Sequence, residues 1–188
     1  RITFLPHNVY ANMPLGTEML SLLGMIVAGD WWTGALVGKT LTAMFAPLAA
    51  AMLFAAGRRF VSPAAGVLAA LVYLSLPWIA LVSAQGLVEG AFAFYLFAAL
   101  YGVLLWREPA GATGSTATRG NDSLKLPALA GFLAGGAVST KYPAVVYCVL
   151  PLSGYIIYQS LRGPRRARAR ERGAIRAAMP VGAFLLAC

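Results

Sequence analysis

Long apolar runs separated by short polar gaps constrain this chain more than any other feature, because its basic residues enter only alternate gaps. Arg58 and Arg59 occupy the first such gap, and Arg107, Arg119 and Lys125 lie in or beside the next. Arg162, Arg165, Arg166, Arg168, Arg170, Arg172 and Arg176 crowd the last. Together these are 12 of the 15 Lys and Arg residues. A bilayer core about 30 Å thick takes about 20 helical residues, and Lys and Arg are retained on its cytoplasmic side. The pattern predicts an all-α fold, a polytopic transmembrane helical bundle, and it fixes the orientation. The few charges left on the outer side are then the candidates for chemistry: Glu18, Asp30, Lys39, Glu89 and Lys141, with His7 nearby.

Composition agrees with lipid as the solvent. The chain is 60% hydrophobic and 11% charged, with a mean hydropathy of +0.72. Its net charge of +9 would point to nucleic acid in a soluble protein. Here the same arginines are loop anchors at anionic headgroups, and no nucleic-acid partner is expected. Cys148 lies in an apolar run and Cys188 is the last residue, so the spacing offers no disulfide framework. A single histidine, His7, excludes a multi-histidine metal site in this chain. The sequence starts at Arg1 without a methionine and stops inside the apolar run Val181–Cys188, as expected of a piece of a longer protein.

Residues 1–30 read as one outer region, an aromatic and polar loop (Arg1–Pro14) followed by a short helix over Leu15–Ala28 at the outer surface. Transmembrane helices follow over 31–161, about five in number: Trp31–Ala56, Pro63–Val82, Leu87–Trp106, Leu126–Thr140 and Ala144–Leu161. Trp31 and Trp32 mark an interface, Pro47 predicts a kink, and Ser83–Gly86 a tight outer turn. Pro109–Ser123 reads as an inner loop, 162–177 as a basic cytoplasmic loop, and 178–188 as the start of a truncated last helix. Gly34/Gly38, Gly86/Gly90 and Gly131/Gly135 each fit Gly-x-x-x-Gly, which either lets backbones approach closely or reflects the abundance of glycine.

Each outer charge has a plain and a functional reading. Lys39 lies about 12 Å below the Trp31–Trp32 level by helical rise, where a lysine costs about 2.5–3.5 kcal/mol unless paired or watered. It either snorkels or joins an architectural ion pair, or it holds an anionic ligand. Glu89 is the sole acid on its span, one turn past the outer turn, and an unpaired carboxylate there would be protonated or functional. Lys141, between Thr140 and Tyr142, either anchors its helix at the interface or meets a phosphate. Glu18, after Thr17, suits the first turn of a helix capped by Thr17, and Asp30 suits an N-cap before Trp31. His7, Asn8, Tyr10 and Asn12 give the opening loop the amides and aromatics of a sugar site, although surface loops share that composition.

The order of these features resembles a known group. A loop with His7-Asn8-Val9-Tyr10-Ala11-Asn12-Met13-Pro14-Leu15 precedes a charged helix ending in Gly57-Arg58-Arg59. Gly86-Leu87-Val88-Glu89 places an acid after an outer turn, and Gly131-Phe132-Leu133-Ala134-Gly135-Gly136-Ala137-Val138-Ser139-Thr140-Lys141-Tyr142 ends a later helix. Over residues 6–160 this is similar to the bacterial C-type (GT-C) membrane glycosyltransferases, which include protein O-mannosyltransferases and lipid A aminoarabinose transferase. The resemblance implies transfer of a sugar from a polyprenyl-phosphate donor to a lipid, glycan or protein acceptor. The reaction would take place at the outer face of the cell membrane, without cofactor or metal. In that group the catalytic acid is an aspartate in the first outer loop, expected here upstream of Arg1. Glu89 falls where many relatives carry a second acid, usually aspartate, and Lys141 matches a lysine at the end of the corresponding helix. Lys39 sits where relatives often carry a basic residue. The implied catalytic residues are Glu89 and Glu18, and the implied substrate-binding residues are Lys39, Lys141, His7, Asn8, Tyr10 and Tyr142. A transporter or flippase is the main rival, with Pro47 and Lys39 in its favour; a structural membrane subunit or an inactive enzyme homologue is the third reading.

Overall fold

The computed structural model describes residues 15–108, 122–162 and 170–188. His7, Asn8, Tyr10, nearly all of the expected inner loop and the centre of the basic segment lie outside them. The described residues form helices and turns with no strand among them, so the all-α expectation holds. In chain order the elements are α1 (Glu18–Ala28), α2 (Trp31–Ala43), α3 (Phe45–Phe60), α4 (Pro63–Ser75) and α5 (Pro77–Gln85). Then come α6 (Val88–Arg107), α7 (Asp122–Thr140), a π-helical segment (Val145–Val149), α8 (Leu150–Arg162) and α9 (Arg170–Ala187).

Two helices are long and apolar enough to cross a membrane, Trp31–Phe60 and Val88–Arg107. A third span is present if α4 and α5, bent by 62° at Leu76, count as one. Leu124–Thr140 and Val145–Ser160 are apolar but shorter than that. Three expected boundaries move. The helix over 31–60 breaks at Met44 rather than at Pro47; the proline ring clashes with the carbonyl four residues earlier, so the disturbance appears one turn upstream. The expected turn over Ser83–Gly86 is helical to Gln85, and the chain reverses at Gly86, whose φ of 67° ends α5. The last helix begins at Arg170 rather than near residue 178, taking part of the basic segment into its first turns.

Contacts divide the chain into two compact units. The first comprises 15–94 and 137–143 among the described residues and is built from two tight hairpins. In the α1–α2 hairpin, Gly29 turns the chain at φ 68°, and Asp30 caps α2 by accepting from the Thr33 amide at 2.8 Å. Helices α1 and α2 touch through glycine. A Cβ on Gly34 would run into the Met25 backbone, and one on Gly38 would stand 2.5 Å from Ser21 Cα. The α3–α4 hairpin closes in the same way, with a Cβ on Gly57 only 2.6 Å from Gly66 Cα. Ser62 caps α4 through the Ala65 amide, and Pro63 opens the helix where its missing N–H costs nothing.

The second unit comprises Tyr95–Gly136 and Ala144–Cys188. Its core sets Ala99, Val103, Ala130 and Ala134 against Cys148, Leu152, Ile156 and Phe184. Gly131 and Gly135 carry the backbone of α9 at Phe184 and Cys188 so closely that neither has room for a Cβ. The π-helical segment precedes Pro151, where the missing amide and bulky ring displace the regular hydrogen-bond ladder.

Candidate functional site

The sequence places acids and bases on separate helices, and the fold joins two of them within the first unit. Glu89 stands in the first turn of α6, and Lys141 follows the last residue of α7. Lys141 Nζ donates to Glu89 Oε1 at 2.6 Å. The lysine side chain is 36% exposed and that of Glu89 41%, so the pair is open to a ligand on one side. An ion pair that faces water contributes only about 0–1 kcal/mol, too little to make stability the reason for the arrangement.

Around Lys141 the last turn of α7 is clasped by the residues that enter α1. The Gly16 amide donates to the Ser139 carbonyl at 2.8 Å. A Cβ on Gly16 would stand 2.5 Å from Ser139 Oγ, so only glycine fits. Next to it the Thr17 hydroxyl faces the Thr140 hydroxyl at 3.5 Å, a long contact between two buried side chains. Thr17 makes no side-chain cap for α1, contrary to the sequence expectation, because its hydroxyl is directed at Thr140 instead. Glu18 follows in the first turn of α1 and is exposed.

Lys39 reaches the same region from α2. Its backbone and stem lie against Gly86, where a Cβ would stand 3.3 Å from Lys39 Cα and Cγ. Gly86 is three residues before Glu89. Lys39 is exposed, and among the described residues no carboxylate lies within ion-pair range of it. Tyr142 is 59% exposed directly after Lys141. Asp30 is the helix cap that its sequence position predicts; the Thr33 amide holds its carboxyl below the usual carboxylate range. The structure thus brings Glu89 and Lys141 into contact and Lys39 to the adjoining turn. His7, Asn8 and Tyr10 fall outside the described residues, and no acidic, His or Cys cluster suited to a metal occurs among the described ones.

The Gly16–Ser139 and Thr17–Thr140 contacts were not legible in the sequence, since a contact over more than 120 residues has no local signature. The available signal was Gly16 itself, a glycine just before a helix start. Comparisons with protein families, with curated proteins and with solved structures found no match to this chain.

Proposed function

We propose that the protein is a multi-pass cell-membrane enzyme that transfers a sugar from a polyprenyl-phosphate donor to a lipid, glycan or protein acceptor at the outer face. The shorter apolar helices Leu124–Thr140 and Val145–Ser160 cross alongside the longer ones in this reading, giving about five spans. The observation that carries it is the half-open Glu89–Lys141 pair at the end of α6 away from Arg107. In the reaction the acceptor oxygen attacks the anomeric carbon, and the bond from that carbon to the phosphate oxygen breaks. The phosphate leaves with the bonding electrons, and the acceptor proton passes to a carboxylate. Glu89, or an aspartate upstream of Arg1, takes that proton, with Glu18 as a further acid, while Lys39 or Lys141 balances the charge on the leaving phosphate. His7, Asn8, Tyr10 and Tyr142 are assigned to the sugar.

The test is consumption of lipid-linked sugar in membranes carrying the protein, wild type beside Glu89→Gln and Lys141→Ala at matched expression. Transfer should fall by about 100-fold or more in Glu89→Gln if that carboxylate is the proton acceptor. Wild-type transfer in both variants would return the pair to architecture. One observation favours transport instead: the 62° break at Leu76, since broken helices recur in transporters. No sugar transfer by the wild type, with export of a lipid-linked or soluble anion, would establish that second reading.

A further inference from the structure

The two lysines next to Glu89 are not equivalent. Lys141 is committed, with its ammonium 2.6 Å from the Glu89 carboxylate. Lys39 has no such partner among the described residues and stands exposed at the turn that leads into Glu89. Its height is set by its own helix. Lys39 and Arg58 are 19 residues apart along α2 and α3, about 29 Å of rise and close to one hydrocarbon thickness. With Arg58 and Arg59 at one boundary, Lys39 reaches the other, and Trp31 and Trp32 lie about 12 Å further out, among headgroups. The boundary between hydrocarbon and headgroup is where the phosphate of a lipid ester sits.

We propose that Lys39, and not Lys141, is the cation that binds the phosphate of a membrane-anchored phosphoester at this site. The inference rests on the membrane placement proposed above and divides the labour there. Lys39 takes the phosphate; Lys141 holds the Glu89 carboxylate ionised and oriented for the acceptor. Gly86 belongs to the subsite because any side chain there would press on the lysine stem. The phosphate can come from a polyprenyl phosphate or from a bulk phospholipid, and both offer the same oxyanion.

The experiment is retention of added lipid by the purified protein in nanodiscs of phosphatidylcholine, read by native mass spectrometry. The probes are polyprenyl phosphate, phosphatidylglycerol and polyprenol, against wild type, Lys39→Met, Lys39→Arg and Lys141→Met. Lys39→Met should lose polyprenyl-phosphate retention by about tenfold or more, as expected for removal of a charged hydrogen bond. Lys39→Arg should keep most of it, which shows that the fold survives, and polyprenol should bind all four alike. An equal loss for phosphatidylglycerol would make the ligand any lipid phosphate; a loss confined to polyprenyl phosphate would make it the donor. Wild-type retention by Lys39→Met, or a larger loss in Lys141→Met, overturns the assignment. Retention through Lys39 without any sugar transfer would sink the transferase reading and leave this one standing.

Discussion

A carboxylate and an ammonium in contact while a third or more of each stays exposed can exchange partners with little desolvation, whereas the residues that hold them in place cannot move so freely. Gly16 shows the difference. A methyl group there would meet Ser139 Oγ at 2.5 Å and its carbonyl oxygen at 2.7 Å, so Gly16→Ala must displace the last turn of α7. The expected cost is about 1–3 kcal/mol, the range for overpacking, read as a lowered midpoint of thermal unfolding in detergent. Gly90→Ala is the control: its nearest neighbour would be Val82 Cγ1 at 3.7 Å, ordinary contact, and the midpoint should hardly change. Asp30 makes a separate prediction. Its folded carboxyl titrates below the unfolded one because the Thr33 amide binds the ionised form. Its contribution is therefore present above the unfolded value and lost as pH falls through the lower, folded value. Hydrogen exchange at the Thr33 amide should accelerate over that acidic window in the wild type and show no such window in Asp30→Asn.

Among the elements, what was legible in the sequence was whatever repeats locally. Apolar runs bounded by Gly57-Arg58-Arg59, by Gly86 and by Lys141-Tyr142-Pro143 located the helices to within a few residues, because each boundary is written in residues that stop a helix or leave lipid. The bend at Leu76 was missed although Pro77 marks it. A residue before proline is pushed out of the helical region, and Leu76 adopts ψ 122° accordingly. The π-helical segment was missed because one extra residue per turn changes no hydrophobic pattern. Of the site, the charged residues were legible singly, but which acid meets which base was not, since that depends on how α6 and α7 bring distant residues together. The glycine pairs sort by packing rather than by motif. Gly34/Gly38 and Gly131/Gly135 carry neighbouring backbone, whereas Gly86 serves a turn and Gly90 touches only one side chain. Gly38→Leu should therefore separate α1 from α2 and raise hydrogen exchange throughout Glu18–Ala28, while Gly90→Ala leaves exchange in α6 as it was.

For the molecule as a whole, the number of crossings turns on α4 and α5. Their 13 and 9 residues make legs of about 20 and 14 Å, which at a bend of 62° still reach about 28 Å from end to end. That is close to the hydrocarbon thickness, so the bent pair is long enough to cross. A re-entrant loop would instead return both ends to one face. Val61, 77% exposed beside Ser62, and Leu87, exposed after Gly86, mark the two ends. Single cysteines at these positions separate the cases, placed in a Cys188→Ser background because Cys188 is exposed whereas Cys148 is buried. A membrane-impermeant maleimide added outside intact cells should label Leu87→Cys and leave Val61→Cys untouched until the membrane is opened. Labelling of both from outside would make α4–α5 re-entrant, put Arg58 and Arg59 on the same face as Glu89, and remove the membrane placement on which the assignment of Lys39 depends. Labelling of neither would place the Glu89–Lys141 pair on the cytoplasmic side and exclude an outer-face donor.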